Sequence, residues 1–254
     1  LKVRSLSFRI FAFLGFPVKE SVLPMALKIS DLTKERSPQF TLGPLSLEIQ
    51  GGETVALLGH NGAGKSTFFQ LITGSAYPTT GSLVWDHQKI HPENPGSKKA
   101  LGYLPQELVF PPWASARDLL GYNAALRGLP KDLVEEHLGI WGCEDFANKP
   151  LGQLSYGMEK RVGLIFALIH NPGLLILDEP FSGLDLIHTE TLFDVLASRK
   201  TSGQTTILST HVLPYGAQLG DRCLILKKGR MGSVDCWDGK GMEERIQAIK
   251  RELL

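Results

Sequence analysis

The chain has 254 residues, 43% hydrophobic and 21% charged, enough for one α/β domain with a real core and a small added lobe. With 27 basic and 26 acidic residues its formal net charge is +1, so bulk electrostatics point to no nucleic-acid partner and to no anionic membrane surface. No run reaches the roughly 20 apolar residues that cross a bilayer, and the three cysteines, Cys143, Cys223 and Cys236, lack metal-ligand spacing and suit a reducing compartment.

The short apolar run Ile10 to Val18 follows Lys2, Arg4 and Arg9 and has the look of a poor signal peptide. The first methionine, Met25, immediately precedes the first alternating segment, so residues 1–24 are expected to be an extension, not necessarily native, ahead of a domain spanning 25–240. Leu27 to Leu32 and Leu45 to Ile49 alternate apolar and polar residues, as half-buried antiparallel strands do, and flank the polar stretch Thr33 to Gln39. Gly51 and Gly52 then turn the chain into Thr54-Val-Ala-Leu-Leu58, a continuous apolar run that suits a strand buried on both faces.

Gly59-His60-Asn61-Gly62-Ala63-Gly64-Lys65-Ser66-Thr67 follows at once and fits G-x-x-x-x-G-K-[ST]. Glycines here let successive N–H groups converge on a nucleotide phosphate, Lys65 supplies a point charge and Ser66 a hydroxyl for Mg²⁺. The helix that opens there ends at Gly74. Gly81 to Trp85 and Leu101 to Leu104 read as further strands, separated by a polar loop. From about 114 to 163 helical patterns replace strands, which marks an inserted α-helical lobe. Buried-strand runs resume at Leu174 to Leu177, Thr205 to Leu208 and Leu224 to Leu226, giving an α/β core with a parallel sheet. The tail, 241–254, sets Met242, Ile246, Ile249 and Leu253 at helical spacing, the pattern of a helix docked on its own domain.

The run Leu174-Leu-Ile-Leu177 ends in Asp178 and Glu179, at the strand end where parallel sheets bind ligands. Asp178 is placed to hold Mg²⁺, and Glu179 to polarise an attacking water. Two adjacent acids are common on surfaces; after a buried strand in a chain with a phosphate loop they point to chemistry.

In this order the motifs resemble the ATP-binding subunit of the ATP-binding cassette (ABC) transporter family, over residues 26 to 235. The resemblance implies a P-loop NTPase core of α/β class with a mixed, largely parallel sheet, an N-terminal antiparallel β subdomain and the inserted helical lobe. It implies ATP and Mg²⁺ as cofactors and ATP hydrolysis as the activity. Gln106, in Leu104-Pro-Gln106, would contact Mg²⁺ or the attacking water. Ser155 and Gly157, in Leu154-Ser-Tyr-Gly-Met158, would face the γ-phosphate bound by an opposing subunit, with Asp185 in Ser182-Gly-Leu-Asp185 nearby. His211, after the last core strand but one, would sense that phosphate. The partners implied are a second ATPase subunit, in a homodimer or heterodimer around two Mg-ATP, and a transmembrane permease supplied in trans. The location implied is cytoplasmic, on the inner face of the membrane.

Tyr156 and Met158 depart from the usual Leu-Ser-Gly-Gly-Gln signature. Ser-x-Gly-Met followed by Lys160 and Arg161 resembles the export-type subgroup. Either Arg36 or Phe40 is placed to stack on adenine. Phe110-Pro-Pro-Trp113 is an apolar cluster that suits either a partner surface or an anchor for the helical lobe. A soluble ABC ATPase with no permease, working in assembly, translation or repair, shares every nucleotide motif. A switch GTPase would need an Asn-Lys-x-Asp sequence that this chain lacks.

Overall fold

The computed structural model describes residues 25–234 and 240–253, so the expectations for 1–24 and for Cys236 lie outside the described residues. Strands β1 (Leu27–Ser37), β2 (Phe40–Ile49), β4 (Thr80–Trp85) and β5 (Gln88–Lys89) form an antiparallel sheet in the order β2-β1-β4-β5. Strands β3 (Thr54–Leu58), β6 (Leu101–Leu104), β7 (Leu174–Leu177), β8 (Thr205–Ser209), β9 (Arg222–Lys227) and β10 (Arg230–Val234) form a second sheet in the order β10-β9-β3-β8-β7-β6. Every pairing in that sheet is parallel except β9 with β10, as the sequence led us to expect of a mixed, largely parallel core.

All residues of β3, β7 and β8 are buried, which is why these strands read as continuous runs. Leu57, Phe68, Ile176 and Ile207 pack between the two sheets with Leu27, Ile49 and Trp85 of the antiparallel sheet. The stretch Thr33 to Gln39 is mostly strand. β1 runs on to Ser37, opposite Phe40, in a polar and largely exposed hairpin. Three register shifts along β1 break the period-2 alternation on which strand recognition depends. β10 also carries little sequence signal, because four of its five residues are at least partly exposed on an edge.

Helix α1 (Lys65–Ile72) follows the phosphate loop and ends beside Gly74, which adopts φ 63°. The helical region contains α2 (Ala116–Leu126), α3 (Asp132–Ile140), short 3-10 turns and α4 (Tyr156–Leu168). Its interior of Leu120, Leu138, Trp141, Phe146 and Val162 is continuous with Leu104, Leu175 and Leu177 of the sheet. The lobe therefore has no core separate from the strands that carry the acids. Phe110 packs on Phe166 at 5.9 Å between centroids, whereas Trp113 is 80% exposed, so the apolar cluster divides between anchor and surface. Helices α5 (Leu186–Thr201) and α6 (Leu213–Leu219) flank β8, and α7 (Met242–Leu253) closes the chain. Ile249 is fully buried under α6 with Ile246 and Leu253 against the same cluster, while Met242 is exposed.

Candidate active site

The buried strand β3 delivers Gly59 to the edge of the sheet, where a side chain would collide with the Leu226 carbonyl at 2.4 Å. Gly64, at φ 114°, stands immediately before α1 and packs on the Phe40 ring, where an added Cβ would be 2.9 Å from the ring carbon. The first turn of α1 carries no acidic residue and no side-chain cap, so its positive end faces outward. Lys65 folds back over the loop and donates to the carbonyls of Gly59 (2.6 Å) and His60 (3.3 Å). A cleft of about 440 Å³ results, lined by His60, Asn61, Gly62, Gly64, Lys65, Ser66 and Thr67 with Arg36, Phe40 and Gln106. Gly59 and buried Ala63 lie beneath it. Both candidates for the base contact, Arg36 and Phe40, line this cleft. Arg36 donates to Gln70 at 3.1 Å, and Phe40 is partly buried against the core.

At the C-terminal end of β7, Asp178 is 3% exposed and accepts a hydrogen bond from Ser209 Oγ at 2.6 Å. The same Ser209 oxygen accepts the Glu179 amide at 2.9 Å, so one hydroxyl ties both acids to β8. Glu179 is held at φ 47°, in the left-handed region that a glutamate adopts at a cost of about 1–3 kcal/mol. Its Oε2 meets His211 Nδ1 at 2.9 Å, with the histidine ring largely in solvent. Burial pushes the Asp178 carboxyl above its ordinary range, against the pull of Ser209, Lys65 and Lys160. Lys160 is fully buried and reaches the Asp178 carbonyl at 3.4 Å, and burial pushes its ammonium down to about 8. Sequence reasoning missed Ser209 and Lys160 as site residues. Only its place at the end of a buried run marks Ser209 in the sequence, and Lys160 stands out there only as part of a subgroup pattern.

Ser155 and Gly157 occupy a different cavity, of about 260 Å³, lined also by Met158, Arg161, Gly183, Leu184, Asp185 and His188. Ser155 caps α4 and accepts the Met158 amide at 3.4 Å. Gly157 lies so close to the loop before α5 that a Cβ there would stand 2.5 Å from the Gly183 carbonyl. Asp185 caps α5, accepting the His188 amide at 2.9 Å. The structure thus brings Lys65, Ser66 and Gln106 together in one cleft, ties Asp178 to Glu179 through Ser209, pairs Glu179 with His211, and sets Ser155, Gly157 and Asp185 apart.

A buried parallel sheet with a phosphate loop after β3 and an acid pair at the end of β7, one strand (β8) between them, defines a nucleoside-triphosphate hydrolase of the P-loop class. The protein-family model described as ABC transporter matches residues 42–182, more than half of the chain. The ABC transporter ATP-binding protein YhaQ of Bacillus subtilis is 38% identical over 208 residues, which is 80% of this chain and 69% of YhaQ. The lantibiotic transport ATP-binding protein SrtF of Streptococcus pyogenes is 31% identical over 86% of this chain and 94% of its own length. Among solved structures, an ATP-binding subunit of an ABC transporter superposes with a TM-score of 0.79 at 26% identity, over 88% of this chain and 99% of that one. The chain belongs to the ABC transporter family, as an ATP-binding subunit with ATPase activity. ATP-binding proteins of this family dimerise and pair with transmembrane permease components.

The oxygen donors present suit the Mg²⁺ that accompanies ATP: the Ser66 hydroxyl, the Gln106 amide and the Asp178 carboxylate. Burial of Asp178 fits too, because a raised carboxyl is one that a cation brings back to its charged form.

Proposed function

We propose that two copies of the chain pack head to tail, so that each ATP lies between the phosphate loop of one copy and Ser155 and Gly157 of the other. The observation that carries this reading is the division of the site: the two cavities share no lining residue, yet each lies at the N-terminus of a helix, α1 or α4. One chain holds both halves, so two copies complete two sites. Exposed Tyr156, Leu186 and Ile187 beside the second cavity give it the apolar margin of a surface covered in the working assembly.

In each site Lys65 and the α1 amides would hold the β- and γ-phosphates. Ser66, Asp178 and Gln106 would hold Mg²⁺, which would neutralise charge on the triphosphate. Glu179 would orient and deprotonate the attacking water, and His211 would exchange its bond to Glu179 for one to the γ-phosphate. Arg36 or Phe40 would stack on the base. Residues 25–240 would form the cassette, with 114–163 as its helical lobe and 241–254 as a docked helix. Hydrolysis would drive a separate permease, and the Ser155-Tyr-Gly-Met158 signature with Lys160 and Arg161 supports export. Among the described residues no helix is long and apolar enough to cross a membrane. Membership of the family supports a cytoplasmic subunit held peripherally on the membrane's inner face through the permease.

The test is to purify tagged Glu179→Gln protein with Mg-ATP from solubilised membranes of its host and identify its companions by mass spectrometry. A stoichiometric polytopic membrane protein is expected. Recovery with soluble partners alone would overturn the transporter reading in favour of a soluble ABC ATPase.

A further inference from the structure

One side chain binds the two motifs of the second cavity together, and neither motif contains it. His188 lies one turn into α5. Its Nδ1 is 2.7 Å from Asp185 Oδ1, the same oxygen that accepts the His188 amide. Its Nε2 is 3.0 Å from Arg161 Nη1 on α4. A guanidinium has no lone pair to offer, so this contact is a hydrogen bond only when Nε2 is the unprotonated acceptor. Nδ1 then carries the hydrogen and donates it to Asp185. The two contacts select one tautomer of a neutral ring.

Arg161 is held in turn by the helical lobe. Its Nη1 has two hydrogens, shared among His188 Nε2 and the carbonyls of Trp141 (3.0 Å) and Gly142 (2.8 Å), and its guanidinium lies 4.9 Å from the centre of the Phe146 ring. Arg161 also stands six residues, nearly two turns, along α4 from the Ser155 cap. The Asp185–His188–Arg161 chain therefore joins the loop before α5 to α4 and to the floor of the lobe. His188 is mostly shielded, its side chain 16% exposed, while Asp185 at the far end is 63% exposed and available to another molecule.

We propose that His188 is a positioning residue of the composite ATP site: it fixes Asp185 and the N-terminus of α4 in one rigid arrangement that is presented to the ATP held by the opposite copy. The inference rests on the head-to-tail dimer proposed above. It adds that the receiving half of the site is pre-organised by a neutral histidine outside the family motifs. Because His188 lines the second cavity and not the phosphate-loop cleft, its removal should spare the cleft's own affinity for nucleotide and impair only assembly on that nucleotide.

The experiment compares Glu179→Gln with Glu179→Gln carrying His188→Ala, and with a third protein carrying His188→Gln, whose amide keeps one donor and one acceptor. Dimer formation in Mg-ATP is followed by sedimentation, binding of a fluorescent ATP analogue is titrated on dilute monomer, and thermal unfolding is recorded. The expected result is dimerisation weakened roughly tenfold or more by His188→Ala, partial recovery with His188→Gln, and unchanged analogue affinity for both. In the parent protein, NMR of isotope-labelled histidine should show His188 as the neutral Nδ1–H tautomer. Equal dimerisation of the alanine variant, equal loss of analogue affinity and dimerisation, or an Nε2–H tautomer would each overturn the inference while leaving the dimer intact. If the Glu179→Gln parent stays monomeric in saturating Mg-ATP, the dimer itself fails and this inference with it.

Discussion

Gly157→Ala gives a sharp test of how closely α4 must approach the loop before α5. The added methyl would lie 2.5 Å from the Gly183 carbonyl oxygen, and ordinary contact begins at 3.4 Å, so the two segments must part by about 0.9 Å. The opposing partner is backbone and not a flexible side chain, so the strain has no cheap outlet. Overpacking of this kind costs about 1–3 kcal/mol of stability. The functional cost should be larger in effect, because misplacing a catalytic constellation by about 1 Å lowers turnover by roughly 10²-fold. The assay is release of inorganic phosphate over a range of ATP concentrations, beside urea unfolding and titration with a fluorescent ATP analogue. We expect turnover to fall roughly 10²-fold while analogue affinity stays within about threefold, because the phosphate-loop cleft is untouched. Turnover within about threefold of wild type would refute the claim that this close approach shapes the site.

Other expectations follow from individual residues. Lys65→Ala should weaken Mg-ATP binding by roughly 10²-fold, the equivalent of about 3 kcal/mol of lost charge-assisted bonds, as measured by calorimetry. Glu179→Gln should bind Mg-ATP normally and hydrolyse it roughly 10²–10⁴-fold more slowly, and normal turnover by the purified variant would remove Glu179 from its assigned role. His137 and His170 are both pushed down to about 4, chiefly by burial, so the unfolded chain binds more protons than the folded one between about pH 6.5 and 4. Their contribution to stability is present above that window and is lost as pH falls through it, by up to about 1.4 kcal/mol per pH unit for each histidine. Urea unfolding at several pH values should show this slope. His137→Leu should remove one histidine's share of it, since His137 Nδ1 has no hydrogen-bond partner to lose.

The parts of the molecule legible in the sequence were those whose chemistry is local in the chain. Thr54 to Thr67 and Leu174 to Glu179 each combine a fully buried strand with its functional turn in consecutive residues, so composition and spacing were enough. The long hairpin from Thr33 to Leu42 was not legible, because its side chains lie mostly in solvent and its register shifts scramble the alternation. Nor was the tie between Asp185, His188 and Arg161, whose members come from α4 and from the start of α5 and meet only where the first turn of α5 approaches Arg161. Ser209 illustrates the same limit: its oxygen meets Asp178 and Glu179 from a neighbouring strand some thirty positions away in sequence.

The most direct test of a site completed by a second copy is to mix purified Lys65→Ala and Gly157→Ala proteins, each nearly inactive alone, and measure ATP hydrolysis. In a head-to-tail dimer the mixed pair holds one site with both lesions and one with none. Half of the dimers should be mixed, so activity should rise to about a quarter of the wild-type rate. A mixture no more active than the sum of its parts would contradict the shared site.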